Sequence, residues 1–490
     1  MARQSWCAAA LAGLVAALAF GPVRAQQPVV DPPPALRSGD VGPLPQKKAY
    51  RGRYPVVGKP VRNPKRQLQK PPPPPRPIDD IAAGPSALGV SRPPLLPETF
   101  GPKPRRRSAA EVDPYAPLGV RAGSFLLRPS LEQNVGYDTN PNRLSGHQKG
   151  SAEFRTEGAL AVASDWERHS LTAALRGAYA WYPSVISANR PDADAALDLR
   201  LDALRDTRID LGATYRLYTQ QPGSIEQPLV GTSRAFVQDL GAAAGVTQTF
   251  GRLAVGLRGS VARTIYDPLD VGDGTQVSQA DRNVTAYNLR LRTGYEATPG
   301  VQPYVEVNVS RRQYDQQFDN SGYERSSNGL NGRIGSTFEI SRILTGDINV
   351  GYGEWTFDDP RLAPLRGPVA DASLIWAATP LTTVTLRGTA SFSDTIVSGS
   401  SGATLRGASV EVSHALLRNL TIAANAGFTR TVYEGDPIRE DGFTGGVRVE
   451  YRLTRAVAVK ASFTHERLNS TQVGTDYTAN VYRLGLKLQF

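Results

Sequence analysis

The feature that most constrains this chain is a period of two. In residues 479–490, Tyr482, Leu484, Leu486, Leu488 and Phe490 fall on one parity, and Val481, Arg483, Gly485, Lys487 and Gln489 on the other. Such alternation marks a strand with two unlike faces, one meeting an oily phase and the other water. It recurs along the chain. Leu171, Ala173 and Leu175 alternate with Thr172 and Arg176; Val305, Val307 and Val309 with Glu306 and Asn308; Val447 and Val449 with Arg448 and Glu450. A helix cannot present this pattern as a stripe. After the first 25 residues, the chain also lacks the run of about 18 apolar residues that a spanning helix needs.

The punctuation between strands is asymmetric. Tight turns are expected near Ser164-Asp165, Asp206-Thr207, Phe250-Gly251, Thr298-Pro299-Gly300, Ser341-Arg342, Thr379-Pro380, Leu417-Arg418 and Thr454-Arg455. Between them lie longer polar stretches at 137–150, 182–192, 220–233, 265–281, 315–326, 357–367, 394–402, 433–441 and 468–477. Eight turns and nine loops join eighteen strands, an even number, and leave both ends on the short-turn side. An unpaired backbone group in hydrocarbon costs several kcal/mol, so such a sheet must close on itself. The expected fold class is therefore all-β: a transmembrane antiparallel up-and-down β-barrel of about 18 strands over residues 123–490. A soluble sandwich would also alternate, but with its polar faces outermost. The rhythm of short turns and long loops favours the membrane barrel. Tyr179, Trp181, Tyr215, Tyr295, Tyr352, Trp355, Trp376 and Tyr451 are expected to form its interfacial girdles.

Two segments precede the barrel. Residues 1–25 carry Arg3, an apolar run from Cys7 to Phe20 and the Val23-Arg24-Ala25 end, which reads as a secretory signal cleaved after Ala25. The only cysteine, Cys7, lies inside it, so the exported chain has no thiol for a disulfide or a metal. Residues 26–122 hold 23 of the 38 prolines, including Pro71 to Pro75, with 17 Lys/Arg against 7 Asp/Glu. Proline denies the backbone its donors, so this reads as a disordered basic periplasmic arm: a spacer, or a contact for an export partner or an anionic polymer. The basic pI belongs to this arm. Residues 123–490 carry 37 basic and 38 acidic side chains, which argues against a folded nucleic-acid-binding domain.

A barrel of this size encloses an aqueous channel. The inward parity is dense in paired charge: Arg176, Arg200, Arg216, Arg258, Arg290, Arg292, Glu306, Arg333, Arg387, Arg448, Glu450 and Arg483 are the expected lumen-lining residues. A mutually neutralising wall is the plain reading; a track for acidic saccharide, gripped by forked guanidinium donors, is the sharper one. The four histidines, His147, His169, His414 and His465, fall in different places, and no nucleophile–base constellation gathers on one rim. The oxygens of Asp138, Asn140 and Asn142 could hold Ca²⁺, but the same residues are ordinary turn formers. No catalytic residue, metal or cofactor is expected.

Two resemblances follow from these residues. The closing row Tyr482, Leu484, Leu486, Leu488 and Phe490 resembles the signal that outer-membrane proteins present to the barrel assembly machinery. The segment Leu131-Glu-Gln-Asn-Val-Gly-Tyr-Asp-Thr-Asn-Pro-Asn142, opening the first hairpin after a proline-rich leader, resembles the start of the β-barrel porin-2 family. That resemblance covers about 123–490. It implies a Gram-negative cell outer membrane location among lipid and lipopolysaccharide, and in several members an association with exopolysaccharide export. The expected function is a pore for polysaccharide or other polar solutes. A non-conducting structural or adhesion barrel is the alternative, and a barrel-embedded hydrolase a third.

Overall fold

The structure, a computed structural model, describes residues 115–490 except 147–148, 223, 227–233, 272–274 and 341–342. The signal read at 1–25 and nearly all of the arm read at 26–122 lie outside the described residues. Eighteen long strands, from Phe125–Asp138 to Tyr477–Gln489, each pair antiparallel with the next in the chain. The last returns to the first over nine registered pairs, from Ser130↔Gln489 to Asp138↔Val481, and the sheet closes. With strands about 4.8 Å apart and tilted by about 40°, such a ring has a backbone diameter of roughly 35 Å.

The two parities separate as the alternation requires. Leu484, Ile334 and Val305 stand on the convex face and are more than half exposed, whereas Glu153, Glu306 and Asn134 face the concave side and are buried. All eight short turns sit at one end. Three of them have only two residues, 251–252, 380–381 and 418–419, and in the first Gly251 has φ 62°, the left-handed region that costs a side chain about 1–2 kcal/mol. At the 296–300 turn, Gly300 has φ 88°, and a Cβ there would stand 2.5 Å from the carbonyl oxygen of Glu339.

The seam is specially built. The last strand stops opposite Ser130, and below it Val120–Ala122 pairs with residues 125–127 of the first strand, filling the remaining edge. The strand ladder therefore begins slightly before residue 123. At the loop end, the Tyr-Asp-Thr-Asn segment does the sealing. Tyr137 pairs with Tyr482, the Thr139 amide donates to the carbonyl of Asn480, and the Asn480 amide donates to Thr139 Oγ1.

Two sequence expectations need correction. Trp355 is not a girdle residue. Its strand, Leu344–Phe357, turns Tyr352 outward, so Trp355 three positions on faces inward, where it packs on Leu365, Val369 and Phe392. The long-loop end is also less uniform than its composition suggests. The connection after Leu420–Glu434 is only residues 435–438, shorter than the 165–169 turn at the opposite end, because pairing runs on through Thr431↔Glu440 and Val432↔Arg439.

Candidate permeation pathway

Each inward residue is placed by strand parity, and adjacent strands then bring opposite charges together. On the wall formed by residues 151–219, Arg176 meets Glu157, Asp192 and Asp194, while Arg216 Nε lies 3.2 Å from Asp194 and Arg155 2.8 Å from Asp192. Further round, Arg292 (2.6 Å) and Arg290 (3.4 Å) share Glu306, and Arg333 reaches Asp371 at 2.5 Å. Arg200 pairs with Asp202, Glu450 with Arg452 and Lys460, and Arg448 stands 3.9 Å from Glu411. Arg483 grips Glu153 at 2.6 Å. Arg258 is buried on the same face. Arg387 is exposed and has no carboxylate partner among the described residues. The inward face is thus a set of compensated networks, which keeps the water-lined wall near neutral. The row read as an assembly signal faces the other way: Tyr482, Leu484, Leu486, Leu488 and Phe490 are all exposed on the convex face.

Alternation along the strands gives no sign of what happens at the long-loop end. The connection 220–235 follows the fifth long strand, and the connection 394–401 follows the thirteenth, eight strands further round the ring of eighteen. They touch. Thr395 Oγ1 donates to Glu226 Oε1 at 2.8 Å, and the Ile396 amide donates to Glu226 Oε2 at 3.1 Å. Ile225 packs against the cluster of Ala403, Tyr433 and Ile438 on that far side, as Val397 does. Seven residues beyond Thr219 span at most about 25 Å, so the opposing connection must lean in to complete a ring width of roughly 35 Å. It is held inward by Arg325, which donates to the carbonyls of Ser400 (2.9 Å) and Val397 (3.1 Å). The described tip of the first connection, at Ile225 and Glu226, and the second connection form a bridge across the mouth. Beside it lies a cavity of about 140 Å³ whose lining includes Glu226, Arg282, Tyr266, Tyr314 and Arg325.

Glu226 is the keystone of the bridge. Burial pushes its carboxyl pKa up, against the opposing pull of the Arg282 guanidinium 3.9 Å away and of hydrogen bonds from Thr395, Ile396 and Tyr433. A group with a higher pKa in the docked loop than in the released one favours docking at low pH, and that stability is lost as pH rises through the raised value. Acidification from neutral pH should therefore tighten the bridge and lower conductance. Glu226→Gln should hold the low-conductance state at every pH; conductance traces across a pH series check both.

The remaining residues of chemical interest do not converge. His414 Nδ1 meets Thr382 Oγ1 at 2.9 Å, and His465 Nδ1 meets Asn480 Oδ1 at 2.8 Å, both on outward parity. His169 Nδ1 accepts the Asp202 amide at the short-turn end. His147 lies outside the described residues. The oxygens considered for Ca²⁺ are engaged in the turn itself. Asp138 accepts the Asn140 amide (2.9 Å) and Arg143 (2.7 Å), while Asn140 Oδ1 accepts the amide of Leu144. No cluster of three metal-ligating side chains occurs among the described residues.

This architecture has a counterpart in sequence. The family profile described as "Putative beta-barrel porin 2" matches residues 113–490. The chain belongs to that family. No curated protein matches it. Among solved structures, the FrpB iron transporter from Neisseria meningitidis (F3-3 variant) is similar at 9% identity and a TM-score of 0.39. The match covers 70% of this chain and 62% of that one, so this chain spans under two thirds of that length. OccK2 (OpdF) of Pseudomonas aeruginosa is similar at 8% identity and a TM-score of 0.40, covering 75% of this chain and 97% of that one. The siderophore receptor PiuA from Acinetobacter baumannii gives 10% identity and a TM-score of 0.40, covering 76% and 82%. The family match and the closed ring of strands agree on a β-barrel of the porin kind.

Proposed function

We propose that this protein is an outer-membrane pore for sugar-rich or other polar solutes, reached through a mouth narrowed by the bridge that Ile225 and Glu226 make to residues 394–401. The observation that carries this reading is the closed eighteen-strand wall whose inward charges are mostly compensated in pairs and networks. Compensated charge disfavours strong selection by sign and suits neutral or mildly acidic saccharides, which hydrogen-bond to both carboxylate and guanidinium. The lumen-lining set from Arg176 to Arg483 would supply those contacts. In this reading the chain is exported by the segment 1–25, cleaved after Ala25. The outward row from Tyr482 to Phe490 is what the assembly machinery would grip, and the basic arm meets a periplasmic partner or anionic polymer. A conduit is favoured over a hydrolase because His169, His414 and His465 engage separate structural partners.

Reconstitution of the full protein in planar bilayers tests the proposal. Ohmic steps that shrink when oligosaccharide is added are expected. Bilayers that stay silent with folded, inserted protein would leave the structural or adhesion reading instead. Loss of surface polymer on gene deletion would assign polysaccharide as the cargo; slowed uptake of small solutes would assign passive diffusion.

A further inference from the structure

Outward-facing arginines ring the long-loop end, just above the apolar band. On most of the ring each has its own carboxylate. Arg263 pairs with Asp315 at 2.5 Å, Arg311 with Asp358 at 2.6 Å, and Arg366 with Glu354 at 2.7 Å. One sector breaks this rule. On the four adjacent strands from Gly402–Leu417 to Val457–Ser470, Arg406, Arg430, Arg439 and Arg467 face outward, and the one carboxylate paired with any of them is Asp441, among the described residues. Arg430 lies 2.6 Å and Arg439 2.7 Å from Asp441, Arg467 reaches only the Asn469 amide oxygen at 3.0 Å, and Arg406 has no carboxylate partner among the described residues. Even with Glu434, two outward positions above Arg430, the patch keeps two net positive charges.

The register makes the excess more pointed. Arg406 stands directly opposite Arg430, and Arg430 opposite Asp441. Like charges directly across a strand pair are destabilising, so Arg406–Arg430 costs the isolated fold free energy unless an anion bridges the two. The height is specific as well. Below Arg430 the outward positions of its strand are Phe428, Ala426, Ala424, Ile422 and Leu420, all apolar. Ten residues at about 2.5 Å of rise along a tilted strand span about 25 Å, the height of the apolar band of such barrels. Phe428 and Phe443 form the row beneath the arginines, with Arg430 stacked 5.6 Å above the Phe428 ring.

We propose that this sector binds the diphosphorylated glucosamine headgroup of lipopolysaccharide, its phosphates held by Arg406, Arg430 and Arg467 while its acyl chains lie along the apolar rows below. Forked guanidinium donors match phosphate oxygens two at a time. The patch meets a lipid headgroup because it stands at the top of the oily band, facing away from the lumen. The inference rests on the barrel being embedded in the outer membrane.

The test uses full-length protein folded into vesicles or detergent. The probes are lipid A with both phosphates, its fully dephosphorylated form, and inorganic pyrophosphate. Native mass spectrometry should show one glycolipid retained, with at least tenfold weaker retention of the dephosphorylated form. Arg406→Gln/Arg467→Gln, which removes no partner of a carboxylate, should lose a similar factor, while Arg263→Gln should leave retention unchanged. Should the double variant fold poorly, Arg406→Gln alone carries the test. Equal retention of both glycolipids, unaltered retention by the Arg406 variants, or an equal response to pyrophosphate (an adventitious ion only) would overturn the proposal. Failure of the barrel to insert at all would instead sink the membrane reading beneath it.

Discussion

Replacing Ile225 with Asp together with Glu226 with Ala is expected to raise single-channel conductance several-fold and to shorten the dwell in the low-conductance state. The bridge is held at its tip by few contacts: the Ile225 side chain against the Ala403, Tyr433 and Ile438 cluster, hydrogen bonds into the Glu226 carboxylate from Thr395, Ile396 and Tyr433, and the Arg282 guanidinium 3.9 Å from it. Half-burying an isoleucine, as here, contributes about 1 kcal/mol, and a hydrogen bond to a charged group about 1.5–3 kcal/mol. Removing both leaves little to offset the cost of ordering a connection of this length. Since each 1.4 kcal/mol is about a tenfold change in population, the docked state should become a minor one. Truncating Thr395 to Val removes one hydrogen bond and should give an intermediate effect. If the double variant conducts as the parent does, the bridge does not restrict the path.

How much of this was legible in the chain depends on where a residue stands relative to the apolar band. Within the band, alternation of greasy and polar residues names the face of each side chain. Arg176, Arg333 and Arg483 could therefore be assigned inward, and Leu484 outward, from parity alone. Above the band both faces are polar and the alternation disappears, although the backbone ladder continues. That is why residues 433–441 read as a loop while Tyr433 and Glu440 still belong to strands. The same loss of contrast hid the outward arginines of that sector. Trp355 was misplaced for a different reason: aromatic type near a strand end was weighed above parity, and parity decides. The Glu226–Thr395 contact had no local signal. It joins residues 169 apart and depends on the ring being closed, a property of the whole sheet.

The second large effect is expected at the seam. Glu153→Leu should lower the stability of the folded barrel by about 3 kcal/mol, the low end for breaking a buried ion pair because the Arg483 side chain keeps some contact with water. Glu153 is fully buried and accepts three hydrogen bonds, from Arg483 Nε (2.6 Å), Arg483 Nη2 (3.0 Å) and the Tyr182 hydroxyl (2.9 Å). The pair straddles the first strand. Gly136 lies in register with both Glu153 and Arg483, and a Cβ there would stand 2.3 Å from the Tyr482 carbonyl oxygen as well as 3.1 Å from Arg483 Cγ, so the crossing needs glycine both for the last strand's backbone and for the arginine. The ion pair therefore ties the last strand to the second over the top of the first, across the one junction that chain connectivity does not hold. Glu153→Leu removes the acceptor and leaves the guanidinium without the carboxylate it is bonded to. Gly136→Val forces the Tyr482 backbone and the Arg483 stem away from the first strand and should act in the same direction. Arg387→Leu, on the same inward face but without a carboxylate partner, should change stability by less than about 0.5 kcal/mol. The temperature at which the folded band is lost on heated gels, with urea midpoints in lipid vesicles, ranks the three. Equal midpoints for Glu153→Leu and Arg387→Leu would mean that backbone pairing alone closes the ring.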